Sequence, residues 1–579
     1  MHILGISCFY HDAASALVSD GILTAAAQEE RFTGKKHDAD FPSNAIRFCL
    51  EKGRVAADNL DAIVFYDKPF TKFDRILNGY LATVPRSYQA FRKAIPVWLR
   101  EKLWLPHRIH KDLHFHGDIL FVEHHLSHAA GTYFSSPFKQ AAILTVDGVG
   151  EWATASIGHG RDNQIRLTQV MNYPHSVGLL YSAFTYFLGF QVNSAEYKVM
   201  GLAPYGQPQY AELIEREIVR IFDDGSIHLN PEYFTFQYGL TMTGTKFEAL
   251  FGRPRRHPES ELTDSDRDIA ASIQNVAEKI IFRMAEQTKK LTNENKLCLS
   301  GGVALNCSAT GKLLKAGLFD EIYIQPASSD SGGAVGAALY AHYSLTGSAK
   351  KNNQPYFSLG PTYTWDNVSS YLNDIGASYE NMAFDDLAEY LAAQLAQRKI
   401  VGLFHGPMEF GPRALGFRSI LADPRDIDMK TRINKAVKFR EPFRPFAPVV
   451  LEEKASEYFD TDRPSPYMLF NFTVQENRRD TVPAITHVDG TSRIQTVNQT
   501  DNRLLYHILQ KFEYQTGVAV LLNTSLNLRG HPIARTPQDA FATFISSGID
   551  IMAIENCVLD KNKIDPASFA HLHIATGRD

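Results

Sequence analysis

Two histidines at helical spacing carry the first chemical signal in the sequence. His124 and His128 stand four residues apart in VEHHLSHAA. On a helix this spacing places both imidazoles on one face, one turn apart, as two ligands of one metal ion require. Because histidine pairs at this spacing also occur without a metal, the pair alone leaves a structural role open.

Two aspartates favour a metal site. Asp147 ends the apolar run AILTVD, and Asp330 lies in a glycine-rich segment, SSDSGG, that follows the apolar run EIYIQP. We expect both at strand ends, where α/β folds bind ligands. Imidazole nitrogens together with carboxylate oxygens suit ferrous iron, manganese or zinc, and they leave coordination positions open for a substrate oxygen.

Three glycine-rich segments are predicted to be turns that approach a phosphate or a nucleotide. They are SGGVALN at 300–306, SGGAVGAA at 331–338 and DGVGE at 147–151. We expect the first two to join a strand to a helix, where backbone amides favour negative charge. None has the pattern GxxxxGKS or GxxxxGKT, which excludes an ordinary P-loop. Together they indicate a nucleotide cleft beside the candidate metal site.

The last third of the chain concentrates side chains that can hold anions, several of them in loops stiffened by Pro and Gly. They are Arg413, Arg418, Lys438, Arg440, Arg444, Arg493, Asn523, Thr524 and Ser525. Arginines held in this way suit two-point binding of a phosphate or a carboxylate. Salt bridges with Glu409, Asp423 and Glu441 are the alternative for any single arginine, whereas the cluster favours an anion site.

The segment 68–111 has a different character, with ten Lys/Arg against two Asp/Glu and interleaved aromatic residues. A nucleic-acid groove has this composition, and so does a helical insertion that covers an anion-binding cleft. A solvated basic helical face is the interpretation that we favour.

The order of apolar runs predicts an α/β chain with an internal duplication. A strand–turn–strand unit opens the sequence and recurs at 141–158. A helix is predicted over 264–291 from its apolar spacing, followed at once by the strand KLCLS. The polar segment 346–356 is the expected domain boundary, and buried strands are expected at 400–404 and 518–522.

Composition limits the class of protein. The chain has 579 residues, which is too long for one hydrophobic core. Lys+Arg 59 against Asp+Glu 64 gives a net charge of −5, so there is no global attraction to nucleic acid or an anionic membrane. The 5 cysteines are scattered and the N-terminal residues lack a cleavable apolar leader, so we expect a soluble cytoplasmic protein without a membrane partner.

The motifs taken together resemble the NodU/CmcH family of carbamoyltransferases. The resemblance runs nearly end to end through HDAASAL, EERFTGKKH, HHLSHA, TVDGVGE, EYKVMGLAPYG, SGGVALN, SDSGGAVGAAL, MEFGPRALG, RSILADPR, KFREPFRPFAP and LNTSLN. It implies an α/β protein with an actin/hexokinase-like (Kae-type) domain at 1–348, interrupted by the insertion at 68–111, and a YrdC-like α/β domain at 357–579.

The resemblance also implies a reaction and its site residues. The YrdC-like domain would join ATP and carbamoyl phosphate into carbamoyladenylate, and the actin-like domain would pass the carbamoyl group to a hydroxyl of a small molecule, with iron in the cleft. The implied metal ligands are His124, His128, Asp147 and Asp330. The residues implied near carbamoyladenylate are Lys36, Ser176, Lys198, Gly301 and Asn306. Those implied to hold carbamoyl phosphate or ATP are Arg413, Arg444, Arg493, Asn523 and Ser525.

The charge of the substrates and the lability of the intermediate agree with the assignment of one step to each domain. Two polyanionic substrates need several fixed cations, and a carbamoyl–phosphate anhydride has to be kept from water. The acceptor hydroxyl needs a base, for which His11 is the candidate, and the adjacent Asp12 in the first hairpin is assigned with it as catalytic; a hydrogen-bonded structural histidine is the alternative for His11.

Three positions depart from the family pattern. Pro407 stands where the family usually has Arg, Phe417 where it has Asn, and His531 where it has Glu. The loss of an arginine removes one cation and one donor, so anion contacts around Pro407 are expected to differ.

We therefore expect an ATP-dependent O-carbamoyltransferase of secondary metabolism, such as antibiotic biosynthesis. Its cofactor would be Fe²⁺, with Mn²⁺ or Zn²⁺ as alternatives and Mg²⁺ accompanying ATP. Its partner would be a small-molecule hydroxyl acceptor rather than nucleic acid, and a homodimer is an open option. The alternatives are a small-molecule kinase of the actin-like fold and a tRNA-modifying threonylcarbamoyl-type transferase.

Overall fold

The structure is a computed structural model that describes residues 1–577, apart from the side chain of Pro566. The described chain divides into two compact units. The first unit comprises Met1–Glu29 and His37–Pro355, and the second comprises Glu30–Lys36 together with the chain from Tyr356 onward. Within the described residues, no helix combines the length and the apolar character needed to span a bilayer.

The first unit is built from strands and helices that alternate along the chain. Its strands are β1 (His2–Ser7), β2 (Ala14–Ser19), β3 (Ile22–Gln28), β4 (Ala62–Phe65), β5 (Asp118–Phe121), β6 (Gln140–Val146), β7 (Ala153–Arg161), β8 (Gln164–Asn172), β9 (Val219–Ile221), β10 (Ile227–Leu229), β11 (Lys296–Ser300) and β12 (Glu321–Ile324). The helices up to its end are α1 (Glu30–Thr33), which is part of the second unit, α2 (Ser43–Gly53), α3 (Pro69–Ala82), α4 (Tyr88–Arg100), α5 (Leu105–Leu113), α6 (His124–Tyr133), α7 (Val177–Phe187), α8 (Glu196–Leu202), α9 (Ala211–Leu213), α10 (Thr245–Leu250), α11 (Asp264–Thr292), α12 (Cys307–Lys315) and α13 (Asp330–Thr346).

Two sheets of the first unit repeat one topology. The first has the order β3-β2-β1-β4-β5, and the second has the order β8-β7-β6-β11-β12. In each, an antiparallel meander is followed by parallel strands that extend the sheet from its first strand. This is the duplicated arrangement of actin-like folds, so the predicted α/β class and the predicted duplication are confirmed.

The long helix α11 forms as the sequence predicts. Its first turn is fixed by a capping box in which Thr263 and Asp266 each bond the other's backbone amide. Residues Ile269, Ile273 and Ile280 lie on its buried face, at the spacing that an amphipathic helix requires.

The glycine-rich segment 331–338 is helix rather than turn, which corrects the prediction made for it. Helix α13 begins at Asp330 and contains the whole segment. The glycines serve close packing: a Cβ on Gly336 would lie 1.7 Å from the backbone oxygen of Ser127 in α6, and one on Gly332 would lie 2.1 Å from Ala327 O. Small residues therefore let α13 approach α6 and the β12 end closely.

The basic segment 68–111 supplies most of the crossover between β4 and β5, as helices α3, α4 and α5. Most of its charged side chains are exposed, but Lys72 and Arg75 are buried. The prediction of a solvated face is therefore wrong for these two cations, because α3 turns this edge toward the interior of the first unit.

The second unit has one large mixed sheet with helices around it. Its strands are β13 (Glu380–Asn381), β14 (Val401–Phe404), β15 (Arg418–Ala422), β16 (Ala447–Leu451), β17 (Asn471–Thr473), β18 (Thr491–Arg493), β19 (Gln495–Val497), β20 (Val520–Ser525), β21 (Ile551–Ile554) and β22 (Cys557–Asp560). Its remaining helices are α14 (Trp365–Asp374), α15 (Phe384–Ala396), α16 (Met429–Ile433), α17 (Ala455–Tyr458), α18 (Arg503–Thr516) and α19 (Pro537–Ile545). The sheet order is β13-β22-β21-β14-β15-β20-β16-β19, and the strands expected near 400–404 and 518–522 are β14 and β20.

Candidate functional site

Two buried histidines and two buried aspartates of the first unit meet at one point. His124 and His128 lie on the first turns of α6, where the predicted helical spacing does bring both rings to one face. Asp147 follows β6 directly, and Asp330 opens α13 just after β12. Two strands of the second sheet thus position the aspartates, and one helix positions the histidines.

The donor atoms of these side chains are close enough to share one ion. His124 Nε2 lies 3.1 Å from His128 Nε2 and 3.0 Å from Asp147 Oδ2. Each histidine Nε2 lies 3.6 Å from Asp330 Oδ1. Ligands at metal–donor bonds of about 2.1 Å are separated by about 3.0 to 3.4 Å, depending on the bond angle. The donor set therefore fits a divalent metal ion.

Each carboxylate uses one oxygen toward the histidines and the other toward the protein. Asp147 Oδ1 accepts the backbone N–H of Gly302 at 2.9 Å, and Asp330 Oδ2 accepts the hydroxyl of Tyr66 at 3.2 Å. Such outer contacts orient metal ligands and are part of many metal centres. The protein therefore holds both carboxylates in place without any ion.

The electrostatics of the cluster couple its acids and bases. Burial opposes protonation of His124, but the charge of Asp330 and the hydrogen bond to Asp147 outweigh it and raise the His124 pKa. Burial likewise opposes ionisation of Asp147, yet the His124 hydrogen bond and the His128 charge bring the Asp147 pKa well below its usual range. The acids are thus ionised and available as ligands.

His125, between the two cluster histidines, contacts a residue outside the cluster. Its Nδ1 lies 3.1 Å from Ser156 Oγ on β7. Burial and then the charge of His124 lower the pKa of His125 to about 3, so this imidazole is neutral. It is a structural histidine beside a candidate metal site.

The catalytic candidates His11 and Asp12 take different partners. Asp12 is buried, and its Oδ1 lies 2.6 Å from His37 Nδ1. His11 is half-buried, and its ring centroid lies 4.8 Å from that of Tyr10 and 6.3 Å from that of His37. Asp12 thus holds His37, whereas the His11 ring packs against Tyr10.

Two residues assigned by resemblance to carbamoyladenylate have their polar atoms engaged within the first unit. The Ser176 hydroxyl caps α7 and donates to Gly148 O at 2.6 Å, which fixes the loop that carries Asp147. The Asn306 amide pairs with Gln274 in both directions at 3.0 Å and caps α12. Both act in this structure as positioning residues.

The other three residues of that set are placed differently. Gly301 has a φ of +88°, and a Cβ there would lie 2.2 Å from Val146 O, so glycine is required beside Asp147. Lys198 on α8 is fully buried, with Nζ 5.7 Å from the Phe190 ring centroid. Lys36 belongs to the short segment that packs with the second unit.

In the second unit, Asn523 and Ser525 lie on β20 between β15 and β16. The Asn523 amide donates to Gln495 Oε1 at 2.8 Å and to Ala414 O at 3.3 Å. Ser525 Oγ lies 3.1 Å from Nζ of Lys438, which is itself buried. Ala414, Gln495 and Lys438 therefore meet the end of β20.

The arginines predicted to hold anions separate into two kinds. Arg413 is half-buried two residues before Leu415, in the loop that Asn523 contacts through Ala414 O. Arg444 lies 3.5 Å from Glu441, and the Nε of Arg493 is buried at the end of β18. These half-buried arginines can still meet a ligand.

Arg418 is of the other kind, and its expected role in anion binding is wrong. It is fully buried, and its N–H groups donate to backbone oxygens of His405, Phe417 and Pro361. Its guanidinium lies 3.6 Å from the centroid of the Phe404 ring. This cation binds the protein's own carbonyl groups, so it stabilises the loop and does not bind a ligand.

Several residues at the site were missed by sequence reasoning. Tyr66 and Asp67 follow β4 as Asp147 follows β6, and the same strand-end rule could have found them. Lys72, whose Nζ lies 2.6 Å from Asp67 Oδ2, was hidden in a segment with many exposed basic residues.

Comparison with known proteins places the chain in a family. The family described as Carbamoyltransferase N-terminus matches residues 2–339, and Carbamoyltransferase C-terminus matches residues 392–561. The chain is 48% identical to the uncharacterized protein sll1178 of Synechocystis sp., over 97% of each chain. It is 36% identical to the nodulation protein NolNO of Sinorhizobium fredii, over 98% of this chain and 81% of that protein.

Among solved structures, HypF of T. kodakarensis matches 60% of this chain and 48% of its own, at 14% identity and a TM-score of 0.32, a likeness too weak to bear on function. The matched family regions span most of the described residues of both units, and the motifs that carry the resemblance fall within them. The chain therefore belongs to the carbamoyltransferase family and is an enzyme of that kind.

Proposed function

We propose that this enzyme is an ATP-dependent O-carbamoyltransferase that works in two steps. The second unit would make carbamoyladenylate from carbamoyl phosphate and ATP. The first unit would then transfer the carbamoyl group to a hydroxyl of a small-molecule natural product. The acceptor would belong to secondary metabolism, for example to antibiotic biosynthesis.

The observation that carries the proposal is the buried cluster of His124, His128, Asp147 and Asp330. His11 is linked to it through Tyr10 and Lys72, because Lys72 Nζ lies 5.6 Å from the ring centroids of both Tyr10 and Tyr66. A transfer site needs a group that stabilises charge on the reacting carbonyl and a base for the incoming hydroxyl. The cluster supports stabilisation of charge on the carbonyl, and His11 supports removal of the proton from the hydroxyl. Bound there, a divalent metal (Fe²⁺ by resemblance, with Mn²⁺ or Zn²⁺ as alternatives) would supply Lewis-acid polarisation and orient a phosphate.

The first step suits the cations at the end of β20. Water would displace phosphate from carbamoyl phosphate, and the resulting carbamate oxygen would attack the α-phosphorus of ATP, releasing pyrophosphate. The reactants are polyanions, with Mg²⁺ accompanying ATP. Half-buried Arg413, Arg444 and Arg493 support their binding because fixed cations in a partly desolvated loop bind phosphate strongly.

The second step would use the residues of the first unit. The acceptor oxygen would attack the carbamoyl carbon, the bond from that carbon to the phosphate oxygen would break, and AMP would leave. His11 would take the proton of the hydroxyl. The loop holding Asp147 would be kept in position by Ser176 and by Gly302, whose contacts are made within the protein.

The test is pyrophosphate release from ATP without an acceptor, in the presence and absence of carbamoyl phosphate. We expect release that depends on carbamoyl phosphate. Arg444→Ala should abolish this pyrophosphate release. Arg398→Ala is the control and should not affect it, because Arg398 is exposed and lies at the end of β14 opposite to Phe404. ADP formation instead of pyrophosphate release would contradict the proposal and favour a kinase.

A further inference from the structure

The helix α3 places two cations beside the candidate metal cluster. Lys72 and Arg75 are three residues apart, so they lie on one face of the helix, and both are buried. Lys72 Nζ lies 5.6 Å from the ring centroids of both Tyr10 and Tyr66. Since the Tyr66 hydroxyl donates to Asp330, α3 borders the same space as the cluster.

Lys72 has a counter-charge. Its Nζ lies 2.6 Å from Asp67 Oδ2, and both side chains are largely buried. The charges of Asp67 and Asp330 more than offset burial and raise the pKa of Lys72. The buried charge of Lys72 is therefore neutralised within the protein.

Arg75 has no such partner. Within the described residues its guanidinium makes no hydrogen bond or ion pair, and its Nε is buried. Its nearest ring is that of Tyr173, whose centroid lies 4.9 Å from the guanidinium carbon. Burial lowers the pKa of Arg75, which reflects the cost of keeping this cation away from water.

The nearby acid is already engaged. Glu151 acts on Arg75 through its charge, but its oxygens accept the backbone N–H groups of Lys68 at 2.8 Å and of His124 at 3.1 and 3.2 Å. Glu151 thus fixes the start of α6 and does not bond Arg75. A buried cation without a bonded anion calls for an explanation, and an anionic ligand is one that needs no further change in the protein.

The position of Arg75 indicates that the anionic ligand is the acceptor substrate. Lys72, on the same face of α3 as Arg75, lies 5.6 Å from the ring centroid of Tyr10, and that ring packs against His11, the candidate base for the acceptor hydroxyl. Tyr10 is partly exposed and its hydroxyl also accepts from Asn193 Nδ2 at 3.4 Å. Tyr10 therefore contacts both the candidate base and the face of α3 that carries Arg75.

We propose that Arg75 binds a carboxylate, sulfate or phosphate group of the acceptor, so that the enzyme carbamoylates hydroxyl compounds that carry a negative charge. This inference rests on the proposed function and narrows its acceptor class. The Tyr173 ring would hold the guanidinium in place, leaving its N–H fork for the oxyanion.

One test uses three probe alcohols of matched size: glycerate, glycerol and 3-aminopropane-1,2-diol, which are anionic, neutral and cationic. We expect kcat/KM for carbamoylation to fall in that order. Arg75→Gln should lower the value for glycerate about 10- to 100-fold, the worth of a charged hydrogen bond, and should lower that for glycerol by a much smaller factor. Arg75→Lys should recover part of the loss, and Arg100→Gln, an exposed arginine at the end of α4, should have no effect.

A second test needs no activity. Crystals of the full chain soaked in selenate should show anomalous scattering within hydrogen-bonding distance of the Arg75 guanidinium, and Arg75→Gln crystals should not. Selenate bound only in the second unit would overturn the proposal, as would equal losses for glycerate and glycerol in Arg75→Gln. If wild-type enzyme carbamoylates none of the three probes, the selenate result decides alone. Failure of the proposed function would show separately, as absence of carbamoyl-phosphate-dependent pyrophosphate release.

Discussion

Asp12 Oδ1 lies 2.6 Å from His37 Nδ1, so the acid next to His11 in sequence serves a different histidine in the structure. The two side chains are 11% and 28% exposed, which makes this a partly shielded contact. His11 itself packs against Tyr10, with ring centroids 4.8 Å apart. The loop therefore offers one structural pair and one histidine that remains available for chemistry.

This arrangement predicts separate effects for the two histidines. His11→Gln should lower carbamoylation of glycerate or glycerol by about 10²- to 10⁴-fold, as for loss of a general base, with pyrophosphate release unchanged. His37→Gln and Asp12→Asn should each cost about 1 kcal/mol of unfolding free energy, and the double variant no more than either. Equal losses of transfer in His11→Gln and Asp12→Asn at unchanged stability would instead indicate a His11–Asp12 pair.

The cluster on α6 predicts metal binding by named ligands. His128→Ala and Asp330→Asn should each weaken metal binding by more than about 100-fold, because even outer contacts of metal ligands are worth 10- to 100-fold. The measurement is metal content after dialysis, with iron, manganese and zinc offered in turn. His125→Gln is the matched control, since this neighbour bonds Ser156 and should keep the metal. Equal metal loss in His125→Gln would contradict the assignment.

Metal affinity should also depend on pH in a defined direction. The His124 pKa is raised above its ordinary value by the charge of Asp330 and the bond to Asp147, against the effect of burial. A protonated imidazole cannot ligate, so protons compete with metal as soon as the pH falls below that raised pKa. We expect affinity to fall about tenfold per pH unit there and to level off above it. Affinity that rises on acidification would contradict the histidine ligands.

Because α13 packs closely on α6, one added methyl group in α13 should lower the stability of the protein strongly. A Cβ on Gly336 would lie 1.7 Å from Ser127 O, a backbone atom that cannot move aside without shifting α6. Gly336→Ala should therefore cost about 1 to 3 kcal/mol or more of unfolding free energy and weaken metal binding.

The control for this prediction is Gly79→Ala in α3. Nothing lies within 4 Å of the position of its Cβ, so it should be neutral or gain about 0.5 to 1 kcal/mol. Denaturant melts of both variants compare them, and equal behaviour would contradict the packing account.

Local patterns in the sequence were sufficient for most of the fold. The hairpins, the helix α11 with its Thr263 cap, and the placement of His124 and His128 on one helix face follow from short-range periodicity and capping. The segment 331–338 was misassigned because its glycines, typical of turns, are here required by the approach of another helix. That requirement is tertiary, and no local pattern contains it.

The same limit applies to the charged residues. Nothing in the sequence distinguishes Arg418, whose N–H groups bind carbonyl oxygens in the interior, from the half-buried Arg444. Likewise Lys72 and Arg75 share their segment with exposed basic residues, and the packing of α3 determines which of them are buried. The hydrogen-bond partner of a side chain also depends on tertiary structure, since Asp12 pairs with His37, 25 residues further along the chain.

The most direct test of the account is a comparison of both half-reactions in one variant of the first unit. Asp330→Asn should release pyrophosphate in the presence of carbamoyl phosphate at the wild-type rate, yet carbamoylate no probe alcohol. The account predicts this separation because adenylate formation is assigned to the second unit and transfer to the cluster around Asp330. Loss of pyrophosphate release in Asp330→Asn, with the fold intact by circular dichroism, would contradict it.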